Sequence, residues 1–297
     1  MDTLFSPLFS PELLIATLAL AAIYALIALG LNLIYGAMRL LNVAHGEIMM
    51  LGAYLTFGLF TFWDISPLAA LIPAMLAAAL LGGVLYELLI RRLSQHALAQ
   101  RIEANSLLVF FGLSVILQNL GALLFSPNAR SLNYMETLVQ IGSVSIALNR
   151  LVIIAVSAIA TLAVMAFLRL GTTGLAIRAL IQQRDAAALV GVQADKVNRV
   201  IFCLGFALAA LAGSLISMVE SITPFAGFPF TIAAFFVIIL GGLGSIGGSL
   251  AGALLLACVE VYGSALTSLA WRSILLYGVF LLVLFVRPQG LFGKRLA

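Results

Sequence analysis

Charge is what this sequence has least of: Asp, Glu, Lys and Arg make up 9% of its 297 residues, against roughly a quarter in soluble domains. A soluble fold of this length could not shelter the apolar remainder, which is 64% of the chain. Cysteine and histidine are scarcer still, at two residues each. Cys203 and Cys258 fall in separate apolar runs without metal-type spacing and read as small buried hydrophobes. His45 and His96 are far apart, so neither a multi-histidine metal site nor a histidine-based catalytic group has its residues. No Gly-x-x-x-x-Gly-Lys-Ser/Thr phosphate loop occurs, and no polar stretch is long enough to form a nucleotide-binding domain. The net charge of +4 is scattered in short segments between apolar runs, which is no footprint for nucleic acid. The chain is therefore expected to hold no cofactor or metal, and to have no catalytic residues of its own.

What it has in abundance is long apolar runs. About 20 apolar residues as helix cross a hydrocarbon core of about 30 Å, and candidate spans lie at 13–35, 41–62, 67–90, 106–125, 151–168 and 200–219. The last third adds a short run at 228–240, then 247–262 and 274–286. None alternates in the way strands of a membrane barrel do, and helices satisfy their own backbone in lipid. The expectation is an all-α, polytopic transmembrane bundle of eight or nine spans, forming a single membrane domain over 1–297 without a linker. The first twelve residues carry acids and no base ahead of the first apolar run, the wrong order for a cleavable signal peptide, so the first helix is expected to stay. Placing 169–199 in the cytosol puts 12 of the 15 basic residues on that side, leaving Arg130, Arg150 and Arg272 outside. This bias predicts an outside N-terminus, a cytosolic C-terminus and nine crossings rather than eight.

Against this background a few polar groups stand out. The segment 171–199 is far more polar than its surroundings. Within it 174–192 reads as one amphipathic helix, with Arg178, Gln182 and Asp185 on a polar stripe and Ile177, Leu180, Ile181 and Ala188 toward another face. A helix lying on lipid headgroups would favour several bases and bulky anchors. The acid in this stripe and the small Ala186, Ala187 and Ala188 favour docking on a protein partner on the cytosolic side. His45 and Glu47, preceded by Asn42, lie inside an apolar run, where ionisable groups are costly unless they face a polar cavity or a partner. The bland account makes them a capping cluster, with Asn42 at a helix start and Arg39 paired with Glu47. Glycine interrupts two segments, 45–52 and 241–252, the latter through Gly241, Gly242 and Gly244. Such pairs mark either close helix packing or broken helices along a solute path. Glu87, Glu220 and Glu260 read as snorkelling or helix-pairing groups at span ends.

The residues Gly30-Leu-Asn-Leu-Ile-Tyr-Gly36, Leu41-Asn-Val-Ala-His-Gly-Glu47 and Met50-Leu-Gly-Ala-Tyr54 resemble the opening signature of the branched-chain amino acid permeases of ABC importers. Three later blocks resemble the same family in the same order. They are Gly174-Leu-Ala-Ile-Arg-Ala179 with Asp185-Ala-Ala-Ala-Leu-Val-Gly-Val192, then Leu240-Gly-Gly-Leu-Gly-Ser-Ile-Gly-Gly248, then Arg287-Pro-Gln-Gly-Leu-Phe-Gly293. Permeases for urea and short amides are similar to these, so the resemblance leaves the solute open. It implies an inner-membrane importer built from two related permeases, two cytosolic ATPases that use ATP and Mg, and an extracytoplasmic binding protein. It also implies that Gly174, Arg178, Ala179, Gln182, Asp185, Ala188 and Gly191 belong to an ATPase-coupling segment. Solute would cross by alternating access, with Asn32, Asn42, His45, Glu47, Gly241, Gly242 and Gly244 as the candidate groups near its path. The rival is an ion-gradient-driven carrier of a small polar solute, for which Glu47 is the one plausible coupling carboxylate.

Overall fold

Serine marks three of the helix starts. Ser10, Ser66 and Ser245 stand in extended backbone, and their side chains accept from the N–H of Leu13, Ala69 and Gly248. The first two are followed directly by proline, whose missing N–H is harmless in a first turn. The computed structural model describes residues 10–96, 102–141, 144–287 and 289–292. Arg101, Lys294 and Arg295 of the charge argument, the first nine residues, and Pro288 and Gly293 of the last sequence block lie outside the described residues.

The described chain runs α1 (Pro11–Met38), α2 (His45–Trp63) and α3 (Pro67–Leu85). A π-helical turn (Tyr86–Ile90) and the short α4 (Arg91–His96) extend α3, and α5 (Ile102–Phe125) follows. A hairpin of β1 (Leu138–Ile141) and β2 (Val144–Ala147) leads into α6 (Leu148–Leu170). Then come α7 (Thr172–Gln182), α8 (Arg184–Leu189), α9 (Ala194–Ile216), α10 (Gly227–Gly241), α11 (Ile246–Leu266) and α12 (Arg272–Val286). Among the described residues, seven helices are long and apolar enough to cross a membrane: α1, α2, α3 with its extension, α5, α6, α9 and α11. Helices α10 and α12 are apolar but only 15 residues each. The polytopic helical bundle expected from the apolar runs is thus present.

Helix α9 is the axis of the bundle. It packs on α1, α2 and α3, while α1 also packs on α6 and α11, and α12 lies at the edge against α10 and α11. Small residues let these backbones close up. A Cβ on Gly30 of α1 would stand 2.8 Å from the carbonyl oxygen of Gly205 in α9. One on Gly213 would fall onto the Met49 carbonyl of α2, and one on Gly52 onto the backbone of Ala210. Of the seven long helices the least buried, α5 and α6, show large apolar side chains outward, such as Leu108, Leu123, Ile159 and Leu162. In a bilayer these meet lipid.

Four details differ from the sequence reading. The second span starts at His45, not residue 41, because residues 39–44 leave the helix after Arg39 turns left-handed (φ 55°) to cap α1. Gly46 and Gly52 consequently sit in continuous helix, and the interruption precedes them. The amphipathic stretch 174–192 is two helices, since Gln183 is extended (φ −157°, ψ 107°) and ends α7. Asp185 therefore does not continue the stripe of Arg178 and Gln182. The antiparallel hairpin, which pairs Leu138 with Ala147 and Val139 with Ile146, is a small β element in an otherwise helical chain. Since α6 spans the bundle between them, the hairpin and the α7–α8 pair occupy opposite ends.

Candidate functional site

Two polar junctions interrupt the apolar interior, and α10 joins them. The first lies at mid-depth. His45 is fully buried, and its Nε2 stands 3.1 Å from the Ile27 carbonyl near the middle of α1. A carbonyl only accepts, so Nε2 carries the proton and Nδ1 is left as the free, unpartnered nitrogen. The ring also stands edge-on to Phe206 near the middle of α9. Helix α2 therefore begins inside the bundle rather than at its surface.

Its start is capped from another helix. Ala44 offers no side chain, and Thr231 of α10 supplies the Oγ1 that accepts from the Gly46 N–H at 2.8 Å. The Thr231 proton faces the carbonyls of Val43 and Gly227, at 3.1 and 3.3 Å. The two helix starts are pressed together: a Cβ on Gly46 would fall on the Gly227 carbonyl, and one on Gly227 would fall on Glu47 Oε2. Glu47 is fully buried. Its Oε1 accepts from Ser114 Oγ (3.0 Å) and Gln118 Nε2 (2.9 Å) of α5. Its Oε2 has no hydrogen-bond partner, although it abuts the first turn of α10, and that turn has no side-chain cap.

The expected capping cluster is thus corrected in two ways. Arg39 lies over the Tyr35 ring, 5.5 Å from its centre, rather than on Glu47. Asn42 is buried with both side-chain amide atoms unpartnered, so it caps nothing, and only its backbone carbonyl receives the His45 N–H.

The second junction lies at the α7–α8 end, where α10 gives way to α11. Gly242 (φ 100°) and Gly244 (φ 81°) adopt left-handed backbone that side chains disfavour. Asn32 of α1, itself buried, clamps this break. Its Nδ2 donates to the Ser245 carbonyl (2.9 Å) and Ser249 Oγ (2.7 Å), and its Oδ1 accepts from the Gly244 N–H (2.7 Å). Gly241 packs backbone to backbone on Gly248. From the C-terminal segment, Leu291 N–H donates to the Leu240 carbonyl (2.7 Å) and Phe292 N–H to that of Gly241 (3.2 Å). Ile181 of α7 lies over the same place, within 3.5 Å of where a Gly36 Cβ would be and 3.8 Å of where one on Gly244 would be. Four stretches far apart in sequence meet here.

Within the α7–α8 segment, Gly174 is buried, and its missing Cβ would strike the Phe167 and Leu168 carbonyls. Ala179 is half-buried, whereas Arg178, Gln182, Asp185, Ala188 and Gly191 are exposed. Two large apolar residues at the end of α8 are among the most exposed in the chain, Leu189 at 89% and Val190 at 79%. The sequence reading missed both. Their signal was an apolar pair beside Gly191, whose φ of 86° makes a turn. Behind this segment Tyr86 Oη donates to Asp195 Oδ1 at 2.7 Å, and Glu87 receives Arg91 (2.9 Å) and Arg199 (2.8 Å), tying the π-helical turn to the start of α9. Glu87 is thus a helix-pairing group, as expected. Glu260 is one too, but it is buried: Tyr24 Oη donates to its Oε2 at 2.5 Å, and Arg272 pairs with its Oε1.

No group of three or more metal-ligating side chains occurs among the described residues. The model of the family described as branched-chain amino acid transport system / permease component matches residues 13–284. The chain is 31% identical over 291 residues to the high-affinity branched-chain amino acid transport system permease protein LivH of Escherichia coli (strain K12), covering 93% of this chain and 92% of that one. It is 29% identical over 292 residues to the corresponding protein BraD of Pseudomonas aeruginosa, covering 95% of each. A probable branched-chain amino acid transport permease protein LivH of Methanocaldococcus jannaschii is 25% identical over 282 residues, 90% of this chain and 88% of that one. No solved structure matches the chain. A multi-pass inner-membrane protein and not itself an enzyme, the chain belongs to the family of permease components of branched-chain amino acid transport systems.

Proposed function

We propose that this chain is the membrane-spanning permease subunit of an ATP-driven ABC importer. It carries branched-chain amino acids, or a related small polar solute such as urea or a short amide, inward by alternating access. The partners are a second, related permease, two cytosolic ATPases that bind ATP and Mg, and an extracytoplasmic binding protein. The N-terminus lies outside, and the α7–α8 end and the C-terminus lie in the cytosol.

The observation that carries this reading is the α7–α8 segment. It presents Arg178, Gln182 and Asp185 with exposed Leu189 and Val190, and exposed apolar groups ringed by polar ones are what a docking partner covers. The names of the relatives support the transport role and the solute class. The segment rests through Ile181 on the Gly244 break at the end of α10, whose other end abuts Glu47. With a rise of about 1.5 Å per residue, α10 is a rod of about 22 Å between the two junctions. ATPase closure that displaces α7 and α8 as a rigid pair thereby moves the first turn of α10, and with it the polar groups at mid-depth. Asn32, Gly241, Gly242 and Gly244 act as the bearing at one end of this rod, and Asn42, His45 and Glu47 line the solute path at the other. The test is uptake by the reconstituted complex. ATP inside the ATPase compartment drives it, whereas a proton or sodium gradient alone driving it establishes the secondary-carrier reading instead.

A further inference from the structure

We propose that Glu47 is the residue that receives the ammonium group of the transported solute, and that the first turn of α10 is the door over it. This rests on the reading of the chain as a permease. The carboxylate is half satisfied by design of its surroundings: Ser114 and Gln118 hold Oε1 and fix the orientation of the group, while Oε2 is turned to the start of α10 and accepts nothing. A structural carboxylate in an apolar interior would be expected to use both oxygens, because a buried acceptor without a donor keeps its full desolvation penalty. Ionisable groups at membrane depth mark solute or ion pathways, and this one keeps one oxygen without a protein partner.

The other side of the door has complementary chemistry. A narrow cleft of about 20 Å³, room for little more than a water while the door is shut, reaches Gly227 and is lined by Met49, Met50, Ala53, Ile216 and Phe230, with Glu220 and Ser221 also on its wall. Gly227 thus lies against both the carboxylate and an apolar cleft. Displacing the first turn of α10 joins the two, producing an anionic acceptor beside an aliphatic pocket. A solute with an ammonium and an aliphatic side chain satisfies both. A neutral amide or urea N–H can donate to the same oxygen but leaves the carboxylate's charge without a cationic partner. Residue 227 must lack a Cβ for the door to close, since a side-chain atom there falls on Oε2.

The test uses the full complex in proteoliposomes, with ATP and radiolabelled L-leucine, and a thermal unfolding midpoint for each variant. Glu47→Gln keeps the acceptor for Ser114 and Gln118 and removes the charge. The expected result is an unfolding midpoint equal to or above wild type with leucine uptake reduced at least tenfold, and Glu47→Asp retaining more uptake than Glu47→Gln. Wild-type uptake by Glu47→Gln overturns the inference while leaving the permease reading intact. So does a Glu47→Gln midpoint that falls with its uptake, since that marks a structural carboxylate, and so does Glu47→Asp no better than Glu47→Gln. A wild-type complex that takes up no leucine with ATP overturns the permease reading for this solute, and this inference with it.

Discussion

Removing the Arg272 guanidinium should expose how much of the bundle hangs on one buried charge. Glu260 in α11 is 3% exposed and is met by Tyr24 from α1 and by Arg272 from the first turn of α12. Taking away one partner of a buried ion pair costs about 3–5 kcal/mol, because the other charge stays behind. Two features put this site at the low end. The Arg272 side chain is 37% exposed and so gives up less hydration, and Tyr24 still donates to Oε2 after the change. Arg272→Met is therefore expected to cost about 3 kcal/mol, since it keeps the apolar stem but not the charge. At roughly 2–4 °C per kcal/mol, the unfolding midpoint of the purified protein in detergent falls by about 6–12 °C. The double variant Arg272→Met with Glu260→Gln removes the stranded charge while Tyr24 keeps an acceptor, so it recovers most of that loss. An Arg272→Met midpoint within about 2 °C of wild type, or a double variant as unstable as the sum of the two singles, would show that Arg272 leaves no stranded charge behind.

Two further substitutions test the junctions and the packing. Asn32→Leu strands the Gly244 N–H at the Gly-rich break, whereas the Ser245 carbonyl keeps the Ser249 N–H; at about 1–3 kcal/mol for an unmet group, it should raise amide hydrogen exchange over 242–249 while α5 is unaffected. Gly213→Ala, whose Cβ would fall on the Met49 carbonyl, should lower the unfolding midpoint sharply, whereas Gly112→Ala, with nothing within 4 Å of its Cβ, should leave it level or raise it by up to about 1 kcal/mol of helix propensity.

Apolar length made the spans readable. Each run found in the sequence corresponds to a helix, and the fifth, expected at 151–168, is Leu148–Leu170 in the structure. Hydropathy failed where a break is itself apolar. Residues 39–44 read Arg-Leu-Leu-Asn-Val-Ala, with neither Gly nor Pro, and the one local signal, Asn42 as a cap, is not the cap that α2 uses. The cap for that start is Thr231, 185 residues from Gly46. The same holds for Gln183, a single extended residue that divides an otherwise regular amphipathic stripe. Polar residues were recognisable as unusual, but their partners were not. Asn32 stands in the sequence reading as a candidate path group implied by the resemblance, yet its role as a clamp depends on backbone more than 200 positions later. Glu260 was placed at a span end, but its burial and its Arg272 partner follow from the turn between α11 and α12.

The account stands most directly on whether energy enters through the α7–α8 segment. The complex purified through this chain, wild type and with Arg178→Ala and Asp185→Ala together, should be placed in proteoliposomes and assayed for leucine uptake with ATP alone and with an ion gradient alone. An ATPase should co-purify with the wild-type chain, uptake should need ATP and ignore the gradient, and the double variant should lose the ATPase or coupled uptake. Uptake that follows the gradient without ATP, in a preparation free of any ATPase, would contradict this.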